Sequence, residues 1–78
     1  MDYEYGLRKL RELLTQYAPT LLAEFHTLEA RLLDNLRDER LYGSTESVRA
    51  EKARIVQALN NLADRAGLGS SFNDLCRR

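Results

Sequence analysis

The stretch Arg40-Leu41-Tyr42-Gly43-Ser44-Thr45-Glu46 breaks a long helical pattern in two, and the fold follows from what lies on either side of it. Before it, Leu21, Leu22, Phe25, Leu28, Leu32, Leu33 and Leu36 recur at helical spacing. That stripe is wider than a two-stranded coiled coil requires, so a helix over about 19–42 is expected to meet two neighbours. After it, Val48, Ile55 and Leu62 stand seven apart with Lys52, Leu59 and Ala66 interleaved, which predicts a second helix over about 45–66. Ala53, Ala58 and Ala63 on that helix permit close packing. Gly43 is free to adopt the left-handed conformation that ends the first helix, while Ser44 or Thr45 can cap the second and Glu46 falls in its first turn. At 1.5 Å per residue each helix is on the order of 30 Å long, and so short a link makes them an antiparallel hairpin.

Working outward, Tyr3, Leu7, Leu10, Leu14 and Tyr17 trace one face of a helix over about 2–17. Asp2 can cap its free amides, and Glu4 with Arg8 has the spacing of a favourable i,i+4 pair. Gly6 weakens this helix by about 1 kcal/mol relative to alanine. Ala18-Pro19 ends it, because proline restricts its predecessor and its fixed φ suits the start of the next helix. At the other end, Gly67-Leu68-Gly69 stops the third helix. Ser71 followed by Asp74 has the pattern of a capping box opening one last helical turn over about 71–76, with Phe72 and Leu75 packing back. The expected fold is all-α: a compact antiparallel three-helix bundle with a short fourth C-terminal helical turn, a single domain over 1–78.

Composition narrows the function. The 78 residues hold 12 Lys+Arg and 12 Asp+Glu, so the formal charge is zero, which argues against nucleic acid or an anionic membrane as the main partner. Hydrophobic residues at 44% and charged residues at 31% are a globular balance, not that of a disordered tail. No stretch reaches the roughly 20 apolar residues of a membrane span, the start lacks the pattern of a signal peptide, and one cysteine allows no internal disulfide. A cytoplasmic location is therefore expected. Charge is mildly uneven: residues 1–43 carry six Lys/Arg and eight Asp/Glu, residues 44–78 six and four, giving −2 and +2. Such asymmetry could let copies pair head to tail.

Chemistry-bearing residues are sparse. His26 has Glu24 and Glu29 nearby but no second histidine, short of the four ligands zinc wants. Cys76 has no activating partner in sequence, and Gly67-Leu68-Gly69 follows a helix, not a strand, so it reads as a cap and not a phosphate loop. Asp34, Asp38 and Glu39 cluster, yet Arg37 and Arg40 interleave with them as on a solvated, ion-paired face. Neither catalysis, cofactor nor metal is expected.

One phrase reaches further. Arg40 to Glu46 leads through Arg49-Ala50-Glu51-Lys52-Ala53-Arg54-Ile55-Val56 and Ala58-Leu59-Asn60 to Leu62-Ala63, then to Ser71-Phe72-Asn73-Asp74-Leu75-Cys76. Together these resemble the small helical effector-associated, death-domain-like adaptor modules fused to bacterial STAND NTPases, caspase-like proteases, TIR domains and related conflict-system proteins. The likeness covers about residues 37–76 and rests on no catalytic residue. It implies a non-enzymatic recruitment domain that binds a similar module, homotypically or heterotypically, and so couples a sensor to an effector in a defence or death-like signalling system. On this resemblance Gly43 and Ser44 match the motif's turn and Phe72 with Leu75 its terminal anchor, all structural. Arg40, Glu46, Arg49, Glu51 and Arg54 match its charged helix positions and become interface candidates, against the plainer reading of a solvated face. The alternatives are a structural homo-oligomerisation bundle that buries Leu21, Leu33 or Leu41 against an identical copy, and a small regulator of another protein.

Overall fold

Asp2 starts the structure as the sequence suggests. Its backbone is extended, its Oδ1 accepts the Tyr5 N–H at 3.0 Å, and that bond, helped by Arg78, holds its carboxyl below the usual 3.8. In the computed structural model, which describes residues 1–78 throughout, the order is α1 (Tyr3–Tyr17), a 3₁₀ turn (Pro19–Leu21), α2 (Leu22–Tyr42), α3 (Glu46–Arg65) and α4 (Phe72–Leu75). The result is an all-α antiparallel three-helix bundle with a short fourth helix.

The helix boundaries show where local chemistry departs from pattern. Pro19 opens a 3₁₀ turn, with the Leu22 N–H bonded to the Pro19 carbonyl, and only then does α2 begin. Gly43 has φ 90° and ψ 174°, so φ is left-handed as expected but ψ is extended, a combination open only to glycine. The chain therefore leaves α2 extended, its Gly43 N–H still bonded to the Glu39 carbonyl at 2.9 Å. Thr45, not Ser44, caps α3: its Oγ1 accepts the Val48 N–H at 3.1 Å. Ser71 and Asp74 close the capping box of α4, Ser71 Oγ accepting the Asp74 N–H at 3.0 Å.

The core is built from Leu7, Leu10 and Leu14 of α1, Phe25, Leu28 and Leu32 of α2, Ile55, Leu59, Leu62 and Ala63 of α3, and Phe72 with Cys76. Two large members of the expected stripes face out, as does Ala53 of α3, which therefore takes no part in close packing. Tyr17 is the last residue of α1, where the chain already turns away, and Leu33 is rotated about 100° from buried Leu32. Leu21 packs half-buried against the core, so it is not a free leucine. The Glu4–Arg8 pair does not form: Arg8 lies over the Tyr5 ring and Glu4 faces Arg40 across the bundle at 3.7 Å.

α4 is a single turn, too short to persist alone. It is held against the first turn of α1. Phe72 stacks on Tyr3 with ring centroids 6.4 Å apart, the Asp2 N–H donates to the Cys76 carbonyl at 3.0 Å, and Arg78 Nη1 donates to Asp2 Oδ2 at 3.0 Å. Gly6 lies directly against Cys76. A Cβ at position 6 would overlap Cys76 Sγ and stand 3.1 Å from its Cα, so the glycine that weakens α1 locally is what lets the chain ends meet.

Burial pushes the Cys76 thiol up from 9.0 to about 11, with the nearby Asp2 carboxylate adding to the effect. Here the folded value lies above the unfolded one. The neutral thiol's contribution is complete below about pH 9 and is lost as pH rises through about 11. Urea unfolding at pH 8 and pH 11 is expected to show a decline on the order of 2 kcal/mol that Cys76→Ala lacks. Equal declines in both proteins would mean that Cys76 ionises freely in the fold.

Candidate functional site

The most structured polar surface lies where α2 and α3 run side by side. Arg31, Asn35, Asp38 and Tyr42 follow at steps of four, three and four, which places them along one side of α2. Ser47, Glu51 and Arg54 do the same on α3. Between the helices is a cleft of about 380 Å³ lined by Arg31, Asp34, Asn35, Asp38, Ser47 and Glu51, among others.

Its groups are unequally satisfied. Glu51 Oε1 accepts from Arg31 at 2.8 Å and its Oε2 from Arg54 at 3.1 Å; these two guanidiniums, Arg31 first, hold its carboxyl below the ordinary 4.5. Asp34 faces Arg37 at 3.2 Å, whereas Asp38 makes no ion pair. Asn35 sits in the cleft floor, 5% exposed, and donates from Nδ2 to the Val48 carbonyl at 2.9 Å. Its Oδ1 is buried without a partner. Such an acceptor carries an uncompensated desolvation cost of about 1–3 kcal/mol.

The five interface candidates do not form one surface. Glu51 and Arg54 join the α2–α3 face. Arg49 turns back to donate to the Ser44 carbonyl at 2.6 Å, so it ties the turn together, and this acceptor role is what Ser44 contributes. Glu46 is exposed in the first turn of α3. Arg40 lies on the other side of α2, near Glu4 of α1, where it borders a shallow hollow of about 660 Å³ with Arg77 and Arg78. Of the structural candidates, Gly43 makes the turn, Phe72 is fully buried and Leu75 packs partly buried against the core.

Lys52 and Glu39 form a partly exposed strut between α3 and α2 at 2.7 Å, with Lys52 over the Tyr3 ring, and the Lys52 bond holds the Glu39 carboxyl low. His26 is exposed, its Nδ1 3.5 Å from Glu29. At the α2–α3 corner, Leu41 and Tyr42 stand 64% and 75% exposed.

Arg31 and Asn35 carry weight in this surface that the charged-helix pattern does not assign. Asn35 had a signal: it continues the apolar register of Leu28 and Leu32 as a polar residue. Arg31 had none, because its role depends on how α2 is rotated against α3. Compared with models of known families, with curated proteins and with solved structures, the chain matches none.

Proposed function

We propose that this chain is a protein-interaction module that binds a like helical module, its own copies among them, and serves as a recruitment adaptor. The observation that carries the reading is the α2–α3 corner, where Leu41 and Tyr42, both largely exposed, end α2 next to the Arg49-braced turn. Tyrosine supplies large contact area at low entropic cost, and tyrosine and arginine recur as the energetic centres of interfaces. Adjacent large apolar side chains at a rigid corner favour a partner over solvent. The role of coupling a sensor to an effector in a bacterial defence or death-like signalling system rests on the resemblance of residues 37–76 alone.

Light scattering behind size exclusion, from about 10 μM to about 1 mM, tests self-binding over the range of weak association. The mass is expected to rise above 9.0 kDa with concentration and to continue past a dimer. A discrete dimer would favour a structural oligomerisation bundle instead.

A further inference from the structure

We infer that two copies of this chain exchange residues 67–78, α4 of each taking the seat of the other's α4 against α1 and α3, to form a closed two-fold dimer. The inference does not depend on the α2–α3 corner. The seat's occupant is known in kind, because the chain's own α4 fills it. Phe72 and Cys76 are fully buried, Phe72 stacks on Tyr3, Cys76 lies on Gly6, and the Asn73 N–H donates to Asn60 Oδ1 at 3.1 Å. A second copy brings the same residues, so these contacts and the Asp2–Cys76 and Asp2–Arg78 bonds form again between copies. Exchange of an identical element therefore sacrifices no packing and costs only association entropy and movement of the linker.

The linker moves at little cost. Gly67 and Gly69 have φ of 71° and 76°, and these left-handed residues fold the chain back from α3 toward α1. Gly69 and Ser70 make no backbone hydrogen bond, and the Leu68 N–H reaches the Ala63 carbonyl only at 3.4 Å. A Cβ at position 69 would meet nothing within 4 Å, so the turn there depends on glycine's freedom and not on packing. α4 carries its own Ser71–Asp74 capping box and so moves as a unit. Beside the linker lies an open apolar hollow of about 510 Å³, lined by Leu13, Tyr17, Ala66, Gly67 and Leu68, with Tyr17 63% exposed. A single copy leaves it uncovered. In the exchanged dimer both linkers cross at the two-fold axis, so the residues next to the linker meet their own counterparts there and the hollow is covered, which favours the dimer over two monomers.

Exchange requires α4 to leave its seat and expose Phe72, so it accompanies refolding and not the mixing of folded copies. To test it, the chain is refolded from urea by dialysis at about 10 μM and at about 1 mM, with reductant present so that Cys76 cannot link copies. Both samples are then brought to about 10 μM in the cold and their masses measured by light scattering. The more concentrated sample is expected to keep a species of twice 9.0 kDa that reverts to 9.0 kDa on warming, and the dilute sample to lack it. Association of folded copies through the corner reverses on dilution and leaves no such species, so the two readings succeed or fail separately. Gly69→Pro, whose ring fixes φ at about −65° and forbids the left-handed turn, is expected to give the same dimer fraction at a protein concentration at least about tenfold lower. Phe72→Ala has a weakened α4 and a sound seat; Gly6→Leu has a sound α4 and a blocked seat. Refolded together, they are expected to form a 1:1 pair that melts above either alone. A wild type and a Gly69→Pro protein that both return at 9.0 kDa, or a dimer that Gly69→Pro does not favour, would overturn the exchange. So would a mixture that melts no higher than its components.

Discussion

Replacing Phe72 with alanine is expected to remove about 3–5 kcal/mol of stability and to lower the melting temperature by more than about 12 °C. Phe72 is fully buried, stacks on Tyr3, and is the main apolar anchor of a helix only four residues long. Its removal leaves a cavity among α1, α3 and α4 and unlocks the Asp2–Cys76 and Asp2–Arg78 bonds that depend on α4 lying in place. Domains of this size hold on the order of 5–15 kcal/mol in total, so the variant should be close to unfolding at 37 °C. Thermal and urea unfolding followed by circular dichroism measure it. A loss under about 1 kcal/mol would show that α4 is not part of the cooperative unit.

Gly6→Ala separates local preference from tertiary packing by sign. Helix propensity alone gives a gain of about 1 kcal/mol for alanine within α1. The packing of Gly6 against Cys76 gives the opposite, a loss of about 1–3 kcal/mol, because the added methyl collides with a buried sulfur and crowds backbone behind it. Adding Cys76→Ala to Gly6→Ala should recover part of the loss, since the sulfur goes while Cβ, 3.2 Å from the added methyl, stays. The double-mutant cycle reads this coupling directly. A Gly6→Ala protein as stable as the wild type, or more so, would show that the two chain ends do not pack closely in solution.

What the sequence discloses and what it conceals divide along range. The α2–α3 hairpin, the Asp2 cap and the Ser71–Asp74 box are written within a few residues of where they act, and all three are in place. Gly6 is the reverse: its partner Cys76 is at the other end of the chain, and nothing near position 6 distinguishes a required glycine from a tolerated one. The 3₁₀ turn after Ala18 was hidden for a smaller reason, since Pro19 suits the first turn of either helix type. For the interface, the charged positions of α3 were visible as a pattern. Only the rotation of α2 against α3 puts Glu51 and Arg54 beside Arg31, leaves Arg40 facing α1, and turns Arg49 to the Ser44 carbonyl. Asn35 is the one site residue whose oddity stands in the sequence, a polar group where the stripe calls for a leucine.

That copies of this chain meet through the α2–α3 corner is tested most directly by the concentration series run on the wild type and on Leu41→Ser with Tyr42→Ser side by side. Both side chains are solvent-exposed, so their truncation should leave the helical signal and melting temperature within about 1 kcal/mol equivalent of the wild type. The wild type is expected to grow steadily beyond 9.0 kDa while the variant holds at that mass. A wild type fixed at 9.0 kDa over the whole range, or a variant that associates just as strongly, would contradict it.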